Sequence, residues 1–277
     1  MRFADSAGEE TPGRPAPTGR RWRALFLSDL HLGSRACQSG ALKDFLRHHD
    51  ADTIYLVGDI VDGWRLKAGW YWPPAHNDIF LTLTGAAKNG RRVVYVPGNH
   101  DDFLRGYQGT HFAGVEVCDQ TIHRAADGRR YLILHGDVCD PLVQRVRRLH
   151  VVGYRADRTI SALDSGINHV RRRLGLSHRS VSQWAKFKVK TTLRYLSDFE
   201  RALAALAREQ GADGVICGHV HHPAISERFG IRYVNCGDWV ASCTAVAEGD
   251  DGRFEIIRWR SDAGPLGAAA PTQARAA

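Results

Sequence analysis

Six cysteines occur (Cys37, Cys118, Cys139, Cys217, Cys236, Cys243), but no two form a Cys-x-x-Cys pair. The chain also lacks an apolar run of membrane-spanning length, an apolar core of signal-peptide type near its N-terminus, and any internal repeat. Each absence excludes something. A chain of 277 residues buries enough core to stand without disulfide staples, so reduced thiols and a cytoplasmic setting are expected. Without a run of about 18 apolar residues no membrane span is expected, and the protein is read as soluble or, at most, peripheral at the inner face of the membrane.

The apolar fraction of 43% marks a globular chain, and the formal charge of +8 is unevenly spread. Residues 141–210 hold fifteen Arg and Lys against five Asp and Glu, a surplus of ten, so the remainder of the chain is slightly acidic. A basic insertion points to an anionic partner met at one face.

Residues 1–20 are rich in Gly, Pro and small polar residues and are expected to form a disordered tail; residues from Gly264 are expected to form a loose second one. Between them lies a single domain, 21–263. Short apolar runs predict strands over Arg23–Ser28, Thr53–Val57, Arg92–Val96, Tyr131–Leu134 and Gly214–Cys217, with helical spacing over 38–49 and 76–88. A hairpin is predicted around Gly230, followed by strands near Val240–Ala247 and Phe254–Trp259. This alternation argues for an α/β core with parallel strands, in which ligands gather beyond the C-terminal strand ends.

Five predicted strand ends carry chemistry. In chain order they bear Asp29 and His31, then Asp59 with Asp62 close behind, then Asn99 and His100, then His135, and finally His219 and His221. Taken singly, an Asp-x-His is as well explained by a loop carboxylate beside a satisfied histidine, and Gly98-Asn99-His100-Asp101 by a turn. Taken together they form a mixed oxygen and nitrogen donor set suited to borderline divalent ions.

The ordered set DxH, GDxxD, GNHD, lone His and GHxH resembles the calcineurin-like metallophosphoesterases across roughly residues 24–260. The resemblance implies a four-layer αββα sandwich of two mixed β-sheets with an inserted helical lid at about 141–210. It implies one metal ion held by Asp29, His31, Asp59 and His221, and a second held by Asp59, Asn99, His135 and His219, with Mn2+ favoured over Fe or Zn. Asp59 would then serve both ions, and a water held between them would attack phosphorus in line. His100 would reach the leaving-group oxygen or a phosphoryl oxygen, oriented by Asp62.

Apolar residues at Trp184, Phe187, Leu193, Leu196, Phe199, Leu203 and Leu206 recur at helical spacing within the basic insertion. Within the superfamily this helical insertion is similar to that of the UDP-2,3-diacylglucosamine diphosphatases, which release UMP and a lipid sugar phosphate for lipid A assembly. That similarity implies a lipid-linked nucleotide-sugar substrate, phosphate contacts from Arg171, Arg173, Lys186 and Lys190, and a peripheral membrane contact. The chain departs from that group in carrying His100 where the group generally has Arg. A soluble-nucleotide phosphodiesterase or nuclease and a non-catalytic scaffold are the competing expectations; scattered apolar residues in the insertion weigh against nucleic acid, and intact donors against a scaffold.

Overall fold

The computed structural model describes residues 19–140, 181–260 and 264–265, with side chains in the second stretch described from Tyr195 onward. Its strands alternate in a way that builds four layers. In β1 (Arg20–Leu27), Leu25 and Leu27 face one cluster while Ala24 and Phe26 face another. β2 (His49–Val57) and β3 (Arg92–Val96) repeat the pattern: Ile54, Leu56, Val93 and Tyr95 point one way, Tyr55, Val57, Val94 and Val96 the other. Strands buried on both faces give the near-continuous apolar runs seen in the sequence.

The first face is covered by α1 (Ser39–His48) and α3 (Pro74–Lys88), which contribute Leu42, Phe45, Ile79 and Leu83. Pro74 opens α3, a position where its missing N–H costs nothing. The second face meets another sheet, whose β7 (Arg130–Ile133), β8 (Gly214–Cys217) and β10 (Ile231–Asn235) supply Tyr131, Ile133, Ile216 and Val234. The outer face of that sheet is covered by α4 (Val181–Glu209) through Phe199, Leu203, Ala204 and Ala207. Truncating Phe199 there would cost about 3–5 kcal/mol, as large-to-small changes in cores do. The architecture is therefore the expected αββα sandwich.

Both sheets are mixed. The larger has eight strands and runs β13, β12, β11, β1, β2, β3, β5, β4, where β4 is His111–Phe112, β5 Val115–Val117, β11 Thr244–Glu248, β12 Phe254–Arg260 and β13 Gly264–Pro265. β1, β2, β3 and β5 are parallel, and the strands beyond them are antiparallel. The smaller has five strands, with β7, β8 and β10 parallel at its centre and β6 (Thr121–Arg124) and β9 (Ala224–Arg228) antiparallel at its edges. The predicted hairpin is present: β9 and β10 join through Phe229 and Gly230, both at positive φ (49° and 72°), the twist that a two-residue connection requires.

Several boundaries differ from the expectation. Arg20 belongs to β1 and pairs with His49, so the first strand begins before the predicted Arg23. Gly264 and Pro265 pair with Arg260 and Trp259, so the C-terminal segment does not begin loose at Gly264. The strand predicted from Val240 starts at Thr244, because the N–H groups of Val240, Ala241 and Ser242 turn inward onto Asp238 Oδ1. The last turns of the expected insertion form part of the outer helical layer through Phe199 to Ala207. The rest of that insertion, 141–180, and the tail over 1–18 lie outside the described residues.

Candidate metal centre

Parallel strands align their C-terminal ends, and stacking two such sheets brings five ends to one edge. Backbone hydrogen bonds carry the β1–β2 ladder past the strands: Asp29 N–H donates to Gly58 O (3.0 Å), His31 N–H to Asp59 O (2.9 Å) and Leu32 N–H to Ile60 O (2.9 Å). The second sheet does the same, with Gly218 N–H on His135 O at 3.0 Å. Gly218 and Gly98 have no room for a side chain. A Cβ on Gly218 would overlap Ser28 Oγ and the Asp29 carboxylate, and one on Gly98 the Asp59 carboxylate.

The backbone is strained at this edge. Asp29, His31, Asp59, His219 and His221 all adopt positive φ, between 50° and 70°. For residues with a Cβ this conformation costs about 1 kcal/mol or more each, and it persists only where the surroundings over-determine it. All five belong to the predicted donor set.

The side chains converge as follows. Asp29, His31 and His221 present ligand atoms within 4.8 Å of one another; so do Asp29, Asp59 and His135, and so do His31, Asp59 and His100. His221 Nε2 lies 3.0 Å from Asp29 Oδ1, and His135 Nε2 lies 3.4 Å from Asp59 Oδ2. His135 is 1% exposed, and its Nδ1 sits 3.0 Å from Val57 O, so Nδ1–H donates to that carbonyl and Nε2 is turned toward Asp59. Neither His135 Nε2 nor the buried Asn99 Oδ1 has a hydrogen-bond partner. Buried polar atoms without partners are expensive, and His135 Nε2 is turned toward the Asp59 carboxylate. Such a donor set fits divalent cations.

The electrostatics agree. Burial alone would lower the pKa of His135, yet the Asp59 carboxylate raises it to about 10. Burial would raise Asp29 and Asp59, yet the neighbouring histidines hold both below the usual carboxylate range. His221 is likewise raised, against its burial, by Asp29. The pocket favours positive charge strongly enough to overcome desolvation.

His100 stands at the rim. Its N–H donates to Asp59 Oδ1 (2.8 Å), its Nδ1 is 3.0 Å from Asp62 Oδ1, and its Nε2 is 3.9 Å from Asp59 Oδ2. His219 is the outlier among the expected ligands. Its Nε2 is 2.8 Å from Asp140 Oδ2, and it joins none of the three close groups. Arg171 and Arg173 lie outside the described residues; Lys186 and Lys190 fall on α4, with side chains outside them.

Residues outside the expected ligand set also shape the site. Asp101 accepts from the N–H groups of Ile60 (2.7 Å), Val61 (3.2 Å) and Gly98 (2.5 Å) and from Tyr95 OH (2.5 Å), pinning the turn that carries Asp59. Asn235 donates to Gly218 O at 2.7 Å, and Asp238 Oδ2 stands 3.8 Å from His221 Nδ1. Trp64, in the short helix α2 (Gly63–Ala68), lays its half-exposed ring 4.2 Å from that of His100. Its place among the Trp and Pro residues after Asp59 was the available signal.

Two stacked mixed sheets carry candidate metal-binding clusters of Asp and His at one edge, and the chain belongs to the calcineurin-like phosphoesterases, whose family profile matches residues 23–223. Among curated proteins it is similar to the UDP-2,3-diacylglucosamine hydrolase of Photorhabdus laumondii, at 29% identity over 73% of this chain and 83% of the relative. The enzyme of the same description from Aeromonas salmonicida is 28% identical over 78% of this chain and 85% of the relative. Among solved structures, vacuolar protein sorting 29 from Cryptosporidium parvum aligns with a TM-score of 0.44 at 12% identity, covering 86% of this chain and 91% of that one. Among the described residues no helix is long and apolar enough to cross a membrane.

Proposed function

We propose that the chain hydrolyses a phosphoester or pyrophosphate bond with two divalent ions, acting on UDP-2,3-diacylglucosamine or a related lipid-linked nucleotide sugar and releasing UMP and a lipid sugar phosphate. The observation that carries the reaction type is the position of Asp59, whose carboxylate belongs both to a group with Asp29 and His135 and to a group with His31 and His100. Asp29, His31, Asp59 and His221 would hold one ion, and Asp59, Asn99, His135 and His219 the other. Mn2+ suits these oxygen and nitrogen donors, with Fe and Zn as the other borderline choices. Bound ions of this kind supply Lewis acidity at the phosphoryl group and lower the pKa of a water. His100, oriented by Asp62, donates a proton to the leaving oxygen. Arg171, Arg173, Lys186 and Lys190 contact the substrate phosphates, and the basic insertion touches the membrane surface from the cytoplasmic side. The substrate class is supported by the curated relatives, whose described substrate is UDP-2,3-diacylglucosamine.

One observation favours a second reading. The Trp64 ring beside His100 is a stacking platform of the kind a nucleobase uses, which suits a soluble-nucleotide phosphodiesterase. A panel with added Mn2+ separates the two: UDP-diacylglucosamine, UDP-sugars without acyl chains, cyclic nucleotides and single-stranded DNA. The lipid reading expects kcat/KM for the acylated substrate to exceed that for the unacylated sugar by about 100-fold or more, as burial of several methylenes would produce. Faster turnover of cyclic nucleotides or DNA would replace it. Charge reversal at Lys186 and Lys190 should raise KM for the acylated substrate more than for a small chromogenic diester.

A further inference from the structure

The opposite end of the sandwich holds a second charged cavity. It has a volume of about 410 Å³ and lies between the sheets where β1, β2 and β3 begin, lined by Arg23, Tyr55, Arg92, His123, Arg124 and Arg130, with Asp52 and Thr53 at its edge. About 13 Å of extended strand separates Thr53 from Val57, where the turn toward Asp59 starts, so this cavity is remote from the metal centre.

Its charges are not balanced. Asp52 is engaged by Arg21, and Arg92 is paired with Glu116 at 3.0 Å. Glu248 is occupied: His123 Nε2 lies 2.6 Å from Oε2, and the Ala126 N–H donates to Oε1 at 2.7 Å. Arg23 Nε is 3.4 Å from Glu248 Oε1 but makes no hydrogen bond with it, and its NH2 is spent on Arg124 O at 3.0 Å. Arg130 reaches only a carbonyl, Gln210 O at 3.4 Å, and its buried Nε has no acceptor. Among the described residues neither Arg124 nor Arg130 forms a side-chain ion pair. Two guanidinium groups without a counter-charge line a space of small-ligand size. Tyr55 OH adds a polar group, 3.2 Å from His123 Nδ1 and 3.3 Å from Arg92 NH1.

We propose that this cavity is a binding site for a phosphate group, free or carried by a small molecule, separate from the catalytic centre. Guanidinium forks match the oxygens of phosphate in geometry and charge, and an oxoanion supplies the counter-charge that Arg124 and Arg130 lack. Carboxylate ligands match less well, since four arginines around one cavity favour the more highly charged anion. Because the site is remote from the donor edge and uses none of its residues, it stands or falls independently of the proposed substrate.

The test uses the full chain, treated with chelator so that the metal centre is stripped. Inorganic phosphate, pyrophosphate and a nucleoside monophosphate are titrated calorimetrically against the wild type and the Arg124→Gln/Arg130→Gln double variant at constant ionic strength. Saturable binding is expected in the wild type, with at least about a 10-fold loss of affinity in the variant. The relative affinities of the three probes distinguish a free anion from a nucleotide. Metal-reconstituted variant should hydrolyse a chromogenic phosphodiester within about twofold of the wild type, and phosphate should raise the melting temperature of the wild type only. No saturable binding at millimolar phosphate, equal affinity in the variant, or equal displacement by chloride would each overturn the assignment.

Discussion

Asp62 Oδ1 lies 3.0 Å from His100 Nδ1, and the same carboxylate reaches His31 Nδ1 with its other oxygen at 3.4 Å. One buried acid therefore sets the orientation of two rings in the site. It also caps α2, accepting the Arg65 N–H at 3.0 Å. Burial would raise the Asp62 carboxyl, but hydrogen bonds from His100 and His31 hold it low; the partner effect is a raised His100.

Replacing Asp62 by Asn separates those duties. Asn caps helices as well as Asp, so the melting temperature should change little. The carboxylate opposite His100 loses its charge, and kcat should fall about 10- to 100-fold with KM within a few-fold, the usual cost of removing an outer partner. Unchanged kcat at equal metal occupancy would contradict the orienting role.

Asp59→Asn should act on the metal itself. Measured by elemental analysis after dialysis, the variant should retain fewer ions per chain, with activity down by more than the roughly 100-fold expected for an outer partner. Returning Mn2+ to stripped wild-type protein should raise its melting temperature, because ions that bind only the folded chain stabilise it by mass action. Full metal content in Asp59→Asn would rule out a shared ligand.

Tyr195 links α4 to the site. Its hydroxyl donates to Asp140 Oδ2 at 2.5 Å, and the same oxygen is 2.8 Å from His219 Nε2. Tyr195→Phe keeps the ring and removes only the hydroxyl, so metal affinity should drop by about 10-fold while the secondary structure seen by circular dichroism stays the same. Equal affinity would show that Asp140 holds its place without α4.

His49 makes a pH prediction far from the metal centre. Trp22 Nε1–H donates to its Nδ1 at 2.9 Å, and the ring stacks on Phe45 at 4.4 Å. Burial first, then His48 and Arg20, lowers its pKa from 6.5 to about 4. Between those values the unfolded chain binds the proton and the folded chain does not. Stability from this group is complete above 6.5, falls as the pH drops toward 4, and is level below. Since the ring is part-exposed, the loss should be about 1 kcal/mol rather than the full linkage value. In His49→Asn, whose Oδ1 can still accept from Trp22, urea denaturation should show a stability less dependent on pH across that window than the wild type.

The layers were readable in the chain because burial on two faces writes itself as short apolar runs. β1, β2, β3, β7 and β8 all fall within a few residues of their predicted places. β4 and β5, of two and three residues, are too short to display a period, and β6 buries fully only His123, so no apolar run marks it. α2 was hidden in a loop of Trp and Pro, where the signal lay in the cap Asp62 rather than in any apolar spacing. At the site, Asp29, His31, Asp59, His135 and His221 come together as their strand-end positions imply, whereas His219 turns to Asp140, a residue with no motif of its own.

Sequence alone determined which chemical groups stand at the strand ends, because a strand must stop where its apolar run stops and whatever follows is delivered to the edge. Tertiary structure decided what each group does. Asp59, Asp62 and Asp101 are the same side chain. Asp59 faces His135 at 3.4 Å, Asp62 faces His100 at 3.0 Å, and Asp101 is turned back onto the N–H groups of Ile60 and Val61. A carboxylate joins a candidate metal cluster, partners a histidine or clamps the backbone according to what lies opposite it. For these three the opposite group is about 40 residues away for Asp62 and Asp101, and 76 positions away for Asp59. No local pattern specifies those meetings; the pairing of β2 with β3 brings Asp62 and Asp101 to their partners, and the stacking of the two sheets brings Asp59 to His135.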